Sequence, residues 1–364
     1  MKQRLIDKIT AVLRSVDLVP HLARQKFIAQ FVVALINSRK VQFHNIAQYL
    51  NNAVKTTSNE TRIENFFRKA TLDYRVLAVL LLSFLPKKKK CRLCIDRTEW
   101  NFGRCEVNIL LISIGCGDIQ LPFYWELLDN RSGNSNSTDR IALLEKCISV
   151  VGKDRIEVIL GDREFVGHNW FKYMNDNGLK FVMRVPKHHL LTFENGKQQP
   201  ISSLCYPPGQ PLVLENCQVD GVWGNAWVKS LGDDTYVFLF GTYSADAMGE
   251  IYRKRWTIEA CFQNLKSRGF DLKSTHLTNL EKLKKLVALC SLAYGICLSM
   301  GLHLHRKVHS IKKKPHGYKA CSFSRHGLNF IQEYCRPTAH GNVMEIPYLD
   351  IIERWIYSQI AYYQ

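Results

Sequence analysis

Three carboxylates fall where they could share a task. Asp96 opens "DRTEW" (96–100), Asp162 sits in "GDREF" (161–165), and Glu259 is the lone acid of "IYRKRWTIEACFQNLK" (251–266). Converging carboxylates with open positions between them suit Mg²⁺, which takes few protein ligands and keeps waters or substrate phosphates. Two such ions clamp the attacking and leaving oxygens of an in-line phosphoryl displacement. Each residue also has a plainer reading: Asp162 as a turn aspartate after a strand, Asp96 as an edge-strand charge, Glu259 as part of a solvated helix face. Arg97, Arg163 and Glu164 adjoin the aspartates and either contact phosphate or form a local salt bridge.

The elements around these residues decide whether they can meet. At about 100° per residue, a helix over 251–266 puts Tyr252, Arg255, Glu259 and Lys266 in one strip about 60° wide. Ile251, Ile258, Phe262 and Leu265 form a separate apolar strip, so the four polar residues line the margin of a buried face. Upstream, "CRLCIDRTEW" alternates with period two, putting Arg92, Cys94 and Asp96 on one face. "CEVNILLISIG" and "IQLPFYWELL" read as two more strands, then come a helix "IALLEKCISVVG", a strand "RIEVILGDREF", a helix "NWFKYMNDNG" and a strand "KFVMRV". Three strands, helix, strand, helix, strand is the order of an RNase H-like α/β fold, in which the first and fourth strands are neighbours. Asp96 and Asp162 would then converge.

The division expected is a helical amino-terminal unit (1–88), a first part of the α/β core (89–187), a β insertion (188–248), a helical second part of the core carrying the glutamate (249–302), and a basic helical carboxy-terminal region (303–364). In the first unit "TTSNETRIENFFRK" predicts a helix capped by Ser58, and Arg62, Arg68 and Lys69 are candidate DNA contacts of a helix-turn-helix-like reader. "IIERWIYSQIAYYQ" reads either as a dimer helix or as a terminal helix packed on the core.

Of 364 residues 46% are apolar, enough for a sizeable core, and the net charge is +18. Residues 1–90 carry +12, residues 91–250 carry −5, and residues 251–364 carry +11. Basic flanks around an acidic middle suit a polyanion gripped at both ends, with carboxylates reserved for chemistry between. Twelve cysteines lack a disulfide or zinc framework and read as reduced thiols. "MKQRLIDKITAVLRSV" has no apolar leader core, which predicts a cytoplasmic protein. "LVALCSLAYGICLSMGL" (286–302) reads as a buried helix, so no membrane is expected. No GxxxxGK[ST] phosphate loop occurs, so no nucleotide cofactor is expected.

"YRKRWTIEACFQNLK" matches Tyr-x2-Arg-x3-Glu-x6-Lys, and with "DRTEW" and "GDREF" the chain resembles the bacterial DDE transposases of insertion-sequence family four over roughly 91–300. The resemblance implies an RNase H-like core interrupted by a β insertion, and cut-and-paste transposition by a homodimer in a synaptic complex on the bacterial nucleoid. Its partners would be double-stranded terminal inverted repeats and target DNA. It implies Asp96, Asp162 and Glu259 as catalytic metal ligands for Mg²⁺, with Mn²⁺ as a substitute. Tyr252, Arg255 and Lys266 would hold transposon-end phosphates. Relatives relieve hairpin strain by flipping a base onto an aromatic ring of the insertion, and here Tyr236, Trp223 or Trp227 is the ring. The alternative is a domesticated, catalytically inactive DNA-binding repressor.

Overall fold

The computed structural model of the protein describes residues 2–336 other than 52, 103–104, 129–134, 205–208, 233–234 and 316; of residues 100–102, 105 and 267–268 it describes the backbone only. The stretch 351–364, expected as a dimer or core helix, lies outside the described residues. The chain packs as two units, one formed by residues up to Pro86 together with those from Cys261 onward, the other by Lys87–Ala260.

In the first unit, helices α1 (Lys2–Val16), α2 (Leu22–Ser38), α3 (Phe43–Leu50), α4 (Thr56–Lys69) and α5 (Tyr74–Ser83) follow one another. Apolar side chains surround α2 on nearly every side, and ten of its residues are buried; such a helix must be enclosed. Helix α4 starts two residues before the expected Ser58 cap, with Lys55 at the cap position and no side-chain capping bond. Asn59 explains this: its amide donates to the carbonyls of Ala47 (3.0 Å) and Asn51 (2.9 Å), tying the first turn of α4 to the end of α3.

The second unit is built on one sheet. Strands β1 (Cys91–Phe102), β2 (Cys105–Cys116) and β3 (Ile119–Leu128) form an antiparallel meander. Helix α6 (Ser137–Val151) leads to β4 (Ile156–Gly161), which pairs parallel with β1, and α7 (His168–Asp176) leads to β5 (Phe181–Arg184), parallel to β4. Strands β6 (Leu190–Phe193), β7 (Gln198–Pro200), β8 (Leu212–Val219), β9 (Val222–Gly232) and β10 (Thr235–Gly241) follow. Among the described residues the sheet has ten strands in the order β3-β2-β1-β4-β5-β10-β9-β8-β6-β7. The segment expected as a separate small insertion thus continues the same sheet, because β10 pairs antiparallel with the free edge of β5. A bare edge of unpaired amides is costly to leave open.

Helices α8 (Met248–Arg253) and α9 (Trp256–Gln263) come next, then a π-helical turn at Asn264–Arg268. The continuous helix expected over 251–266 is therefore interrupted twice. In the first unit α10 (Leu280–Lys307) and α11 (Phe323–Cys335) follow, and α10 packs on α2, α5 and α11. Helix α10 is long and apolar enough to cross a membrane, and 94% of its apolar window is buried inside the protein. Its partners explain why residues from 261 onward group with the amino-terminal helices rather than with the sheet.

Gly241 marks the seam where β10 meets β5. It pairs with Val182, and a Cβ there would run into the Phe181 carbonyl oxygen. Overpacking of this kind costs about 1–3 kcal/mol. Gly241→Ala is expected to lower the thermal midpoint by roughly 2–4 °C per kcal/mol lost, measured by circular dichroism.

Candidate active site

Parallel pairing of β1 with β4 is what brings the aspartates together. Cys94 is in register with Leu160, so Asp96 and Asp162, two residues further along each strand, stand side by side. Asp96 accepts a hydrogen bond from its neighbour's backbone, Arg97 N–H to Oδ1 at 2.8 Å, and only 20% of its side chain is exposed. Asp162 follows the last residue of β4; its carboxylate accepts from the Arg163 amide, and its carbonyl accepts from Phe165 N–H at 2.9 Å to close the turn.

Arg255 lies against Asp96 and within electrostatic reach of Asp162. Its Nη1 is 3.8 Å from Asp96 Oδ2, and its Nη2 donates to Glu259 Oε1 at 2.5 Å. It occupies the junction between α8 and α9, where its own N–H donates to the Tyr252 carbonyl at 2.8 Å. Tyr252, Arg255 and Glu259 therefore share one side despite the interrupted helix, since the tight turn between the two helices keeps them close in phase.

Electrostatics bind these groups into one cluster. Burial pushes the Asp96 carboxyl up to about 6; the Arg97 amide and the Arg255 charge oppose this, while Asp162 and Glu164 add to it. Burial alone would lower Arg255, but Tyr252, Asp162, Asp96 and Glu259 outweigh it and raise its pKa. The Tyr252 hydroxyl, buried beside Arg255, is driven well above its ordinary range, first by burial. Arg255 is thus a shared counter-charge to three carboxylates.

The other candidate residues are placed as follows. Arg97 forms a forked ion pair with Glu164, Nε to Oε1 at 2.9 Å and to Oε2 at 3.1 Å, and also pairs with Glu99, whereas Arg163 is exposed. Lys266 lies on the π-helical turn with Nζ 5.5 Å from the Phe262 ring centroid, in the other unit. In α4, Arg62 donates to Gln30 Oε1 and covers the Phe27 ring, Arg68 contacts Asn65, and Lys69 is exposed.

Beside Glu259 opens a cavity of about 580 Å³. Trp227, Lys229, Val237 and Leu239 of the sheet line one side, and Tyr252, Arg255, Trp256 and Glu259 the other, with Arg184 and Arg253 adding positive charge. Of the three aromatic rings singled out, Trp227 lines it. Trp223 is 46% exposed at the β8–β9 hairpin. Tyr236 alternates with Val237 and so points to the opposite face, where its ring stacks on Phe238. Trp256, not among the candidate rings, also lines the cavity and is 64% exposed; adjacency to Arg255 is its signal in the sequence.

Hard carboxylates are the donor type that suits a divalent cation. Asp96, Asp162 and Glu259 are hard carboxylates, and the cation they share here is a guanidinium. Among the described residues no group of three possible ligands is already gathered tightly enough to hold an ion.

Residues 87–296 match the family model described as "Transposase DDE domain". The chain belongs to this family. Among curated proteins none matches it. Among solved structures, it is similar to the piggyBac transposase in a cryo-EM synaptic complex with hairpin DNA, at 12% identity and a TM-score of 0.48, over 98% of this chain and 79% of that one. Within the transposase domain, Asp96, Asp162 and Glu259 all fall inside the matched residues.

The raised Asp96 pKa has a measurable consequence. Because the folded value of about 6 exceeds the ordinary 3.8, this group favours folding most below its ordinary pKa. The contribution is lost as pH rises through the folded value. In EDTA, the thermal midpoint of Asp96→Asn is expected to gain on wild type as pH rises from about 4 to about 7, followed by differential scanning calorimetry.

Proposed function

We propose that the protein is a cut-and-paste DNA transposase of the insertion-sequence family four type, working in the bacterial nucleoid. The observation that carries this reading is the convergence of Asp96, Asp162 and Glu259 on Arg255, beside a cavity lined by apolar side chains and by charges of both signs. The strand order β3-β2-β1-β4-β5 supports an RNase H-like core extended by the inserted strands. Asp96, Asp162 and Glu259 would hold Mg²⁺ or Mn²⁺, which when bound activates a hydroxyl nucleophile and relieves charge on the phosphate.

The chain's own residues do the rest. Asp96 on β1 and Asp162 just past the end of β4 are brought together by the pairing of those two strands. Arg255 and Tyr252 hold the end phosphates at the mouth of the cavity. Nicking, hairpin closure, hairpin opening and joining of the 3′-hydroxyl to target DNA are all phosphodiester displacements, so one site serves each. The basic amino-terminal helices, with Arg62, Arg68 and Lys69, bind terminal repeats, and two copies of the chain assemble with two ends. A hairpin strains the duplex, and a base turned out of it fits the cavity against Trp227. Neither Tyr236 nor Trp223 lines that cavity.

The reading is tested by cleavage of a labelled duplex carrying the element's own ends, in Mg²⁺ or EDTA. Glu259→Gln is expected to abolish nicking while retaining end binding in gel shifts. Binding without cleavage by the wild type would instead indicate a repressor. In the same assay Trp227→Ala is expected to slow hairpin closure more than the first nick, and Tyr236→Ala to leave the ratio of the two unchanged.

A further inference from the structure

Four residues before Asp96, on the same face of β1, lies a second arginine. Arg92 is 1% exposed and forms no ion pair among the described residues. Burying a guanidinium without a carboxylate is costly. Its Nη2 instead meets three neutral acceptors: the Gly117 carbonyl at 3.2 Å, Gln120 Oε1 at 3.2 Å and Thr257 Oγ1 at 3.4 Å.

These acceptors belong to a connected network. Gln120, on β3 and 3% exposed, donates from Nε2 to Ser113 Oγ at 2.8 Å, and Ser113, on β2, donates to the Cys94 carbonyl at 3.2 Å. Thr257 has one hydroxyl proton, and the shortest contact, 2.6 Å to the Lys254 carbonyl, takes it. Its lone pairs then face Arg92. Gln120 Oε1, 3.2 Å from Thr257 Oγ1, accepts from the same guanidinium. Gly115 leaves the room: a Cβ there would strike the Gln120 side chain.

The position of Thr257 gives the network a purpose. It stands in the first turn of α9, two residues after Arg255 and two before Glu259, and its hydroxyl bonds back across the junction between α8 and α9. Apolar contacts hold a helix against a sheet but are non-directional. A buried guanidinium nitrogen held among the Gly117 carbonyl, Gln120 and Thr257 is directional, and fixes where the first turn of the helix sits.

We propose that Arg92, Gln120 and Thr257 form a buried relay that registers α9 against β1, making them positioning residues for Glu259. This rests on Glu259 serving as a metal ligand. The relay explains why a desolvated cation is kept where a leucine could pack: loss of any member would let the start of α9 shift relative to Asp96. Outer contacts of this kind typically change metal affinity by about 10–100-fold.

The test is Mn²⁺ binding to the full chain, followed by electron paramagnetic resonance without DNA, beside the cleavage assay. Thr257→Val keeps the shape and removes the hydroxyl; it is expected to raise half-saturating Mn²⁺ by about 10-fold or more. Thr257→Ser is expected to bind close to wild type. A wild-type isotherm for Thr257→Val, or equal impairment of the Val and Ser variants, would overturn the proposal. Should Thr257→Val fail to fold by circular dichroism, Gln120→Met, remote from α9 in sequence, is judged by the same criteria. Glu259→Gln is the reference. If it binds Mn²⁺ and cleaves like wild type, the metal-ligand reading itself falls; if it is impaired while Thr257→Val is not, only the relay falls.

Discussion

Burial raises the cost of ionising Asp96, and Asp162, beside it at the end of the neighbouring parallel strand, adds to that cost. Arg255 is what makes their juxtaposition tolerable. A guanidinium cannot shed its charge, so it offsets part of the cluster's negative charge at every pH the protein meets, and its other arm reaches Glu259. The oxygens it contacts are those a divalent ion would take. Under the proposed function, guanidinium and metal would compete for Asp96 and Glu259.

The sheet explains why the cavity is where it is. Because β10 adds to β5 in register, the face of the inserted strands runs on from the core, and Trp227, Val237 and Leu239 present a continuous apolar wall. Helices α8 and α9 close the other side with charges of both signs, Arg253 and Arg255 beside Glu250 and Glu259, while Arg184 and Lys229 add cations from the sheet.

Much of this was legible from residue order. Period-two alternation in "CRLCIDRTEW" and the strand ending in Gly161-Asp162 placed both aspartates at strand positions that a β1–β4 pairing joins, as found. The polar strip of Tyr252, Arg255 and Glu259 also meets, though by way of a turn between two helices that the wheel does not contain. Elsewhere local rules misled. Ser58 is a good capping residue, but Asn59 bonds to the end of α3 and lengthens α4 past it. Tyr236 and Trp227 are both aromatic rings of the inserted strands, yet one residue of register decides which face of a strand a ring lies on.

What the sequence alone determined is the chemistry available: three carboxylates, their basic neighbours and the strand and helix periods that carry them, because residue type and local spacing are properties of the chain itself. What only the tertiary structure decided is which groups share a charge and which share a wall. Arg255 as common partner of three acids, Trp227 rather than Tyr236 in the cavity, and the burial of Arg92 against Thr257, 165 residues away, all arise from strand register and helix placement. Those depend on packing between distant segments, which no local window contains.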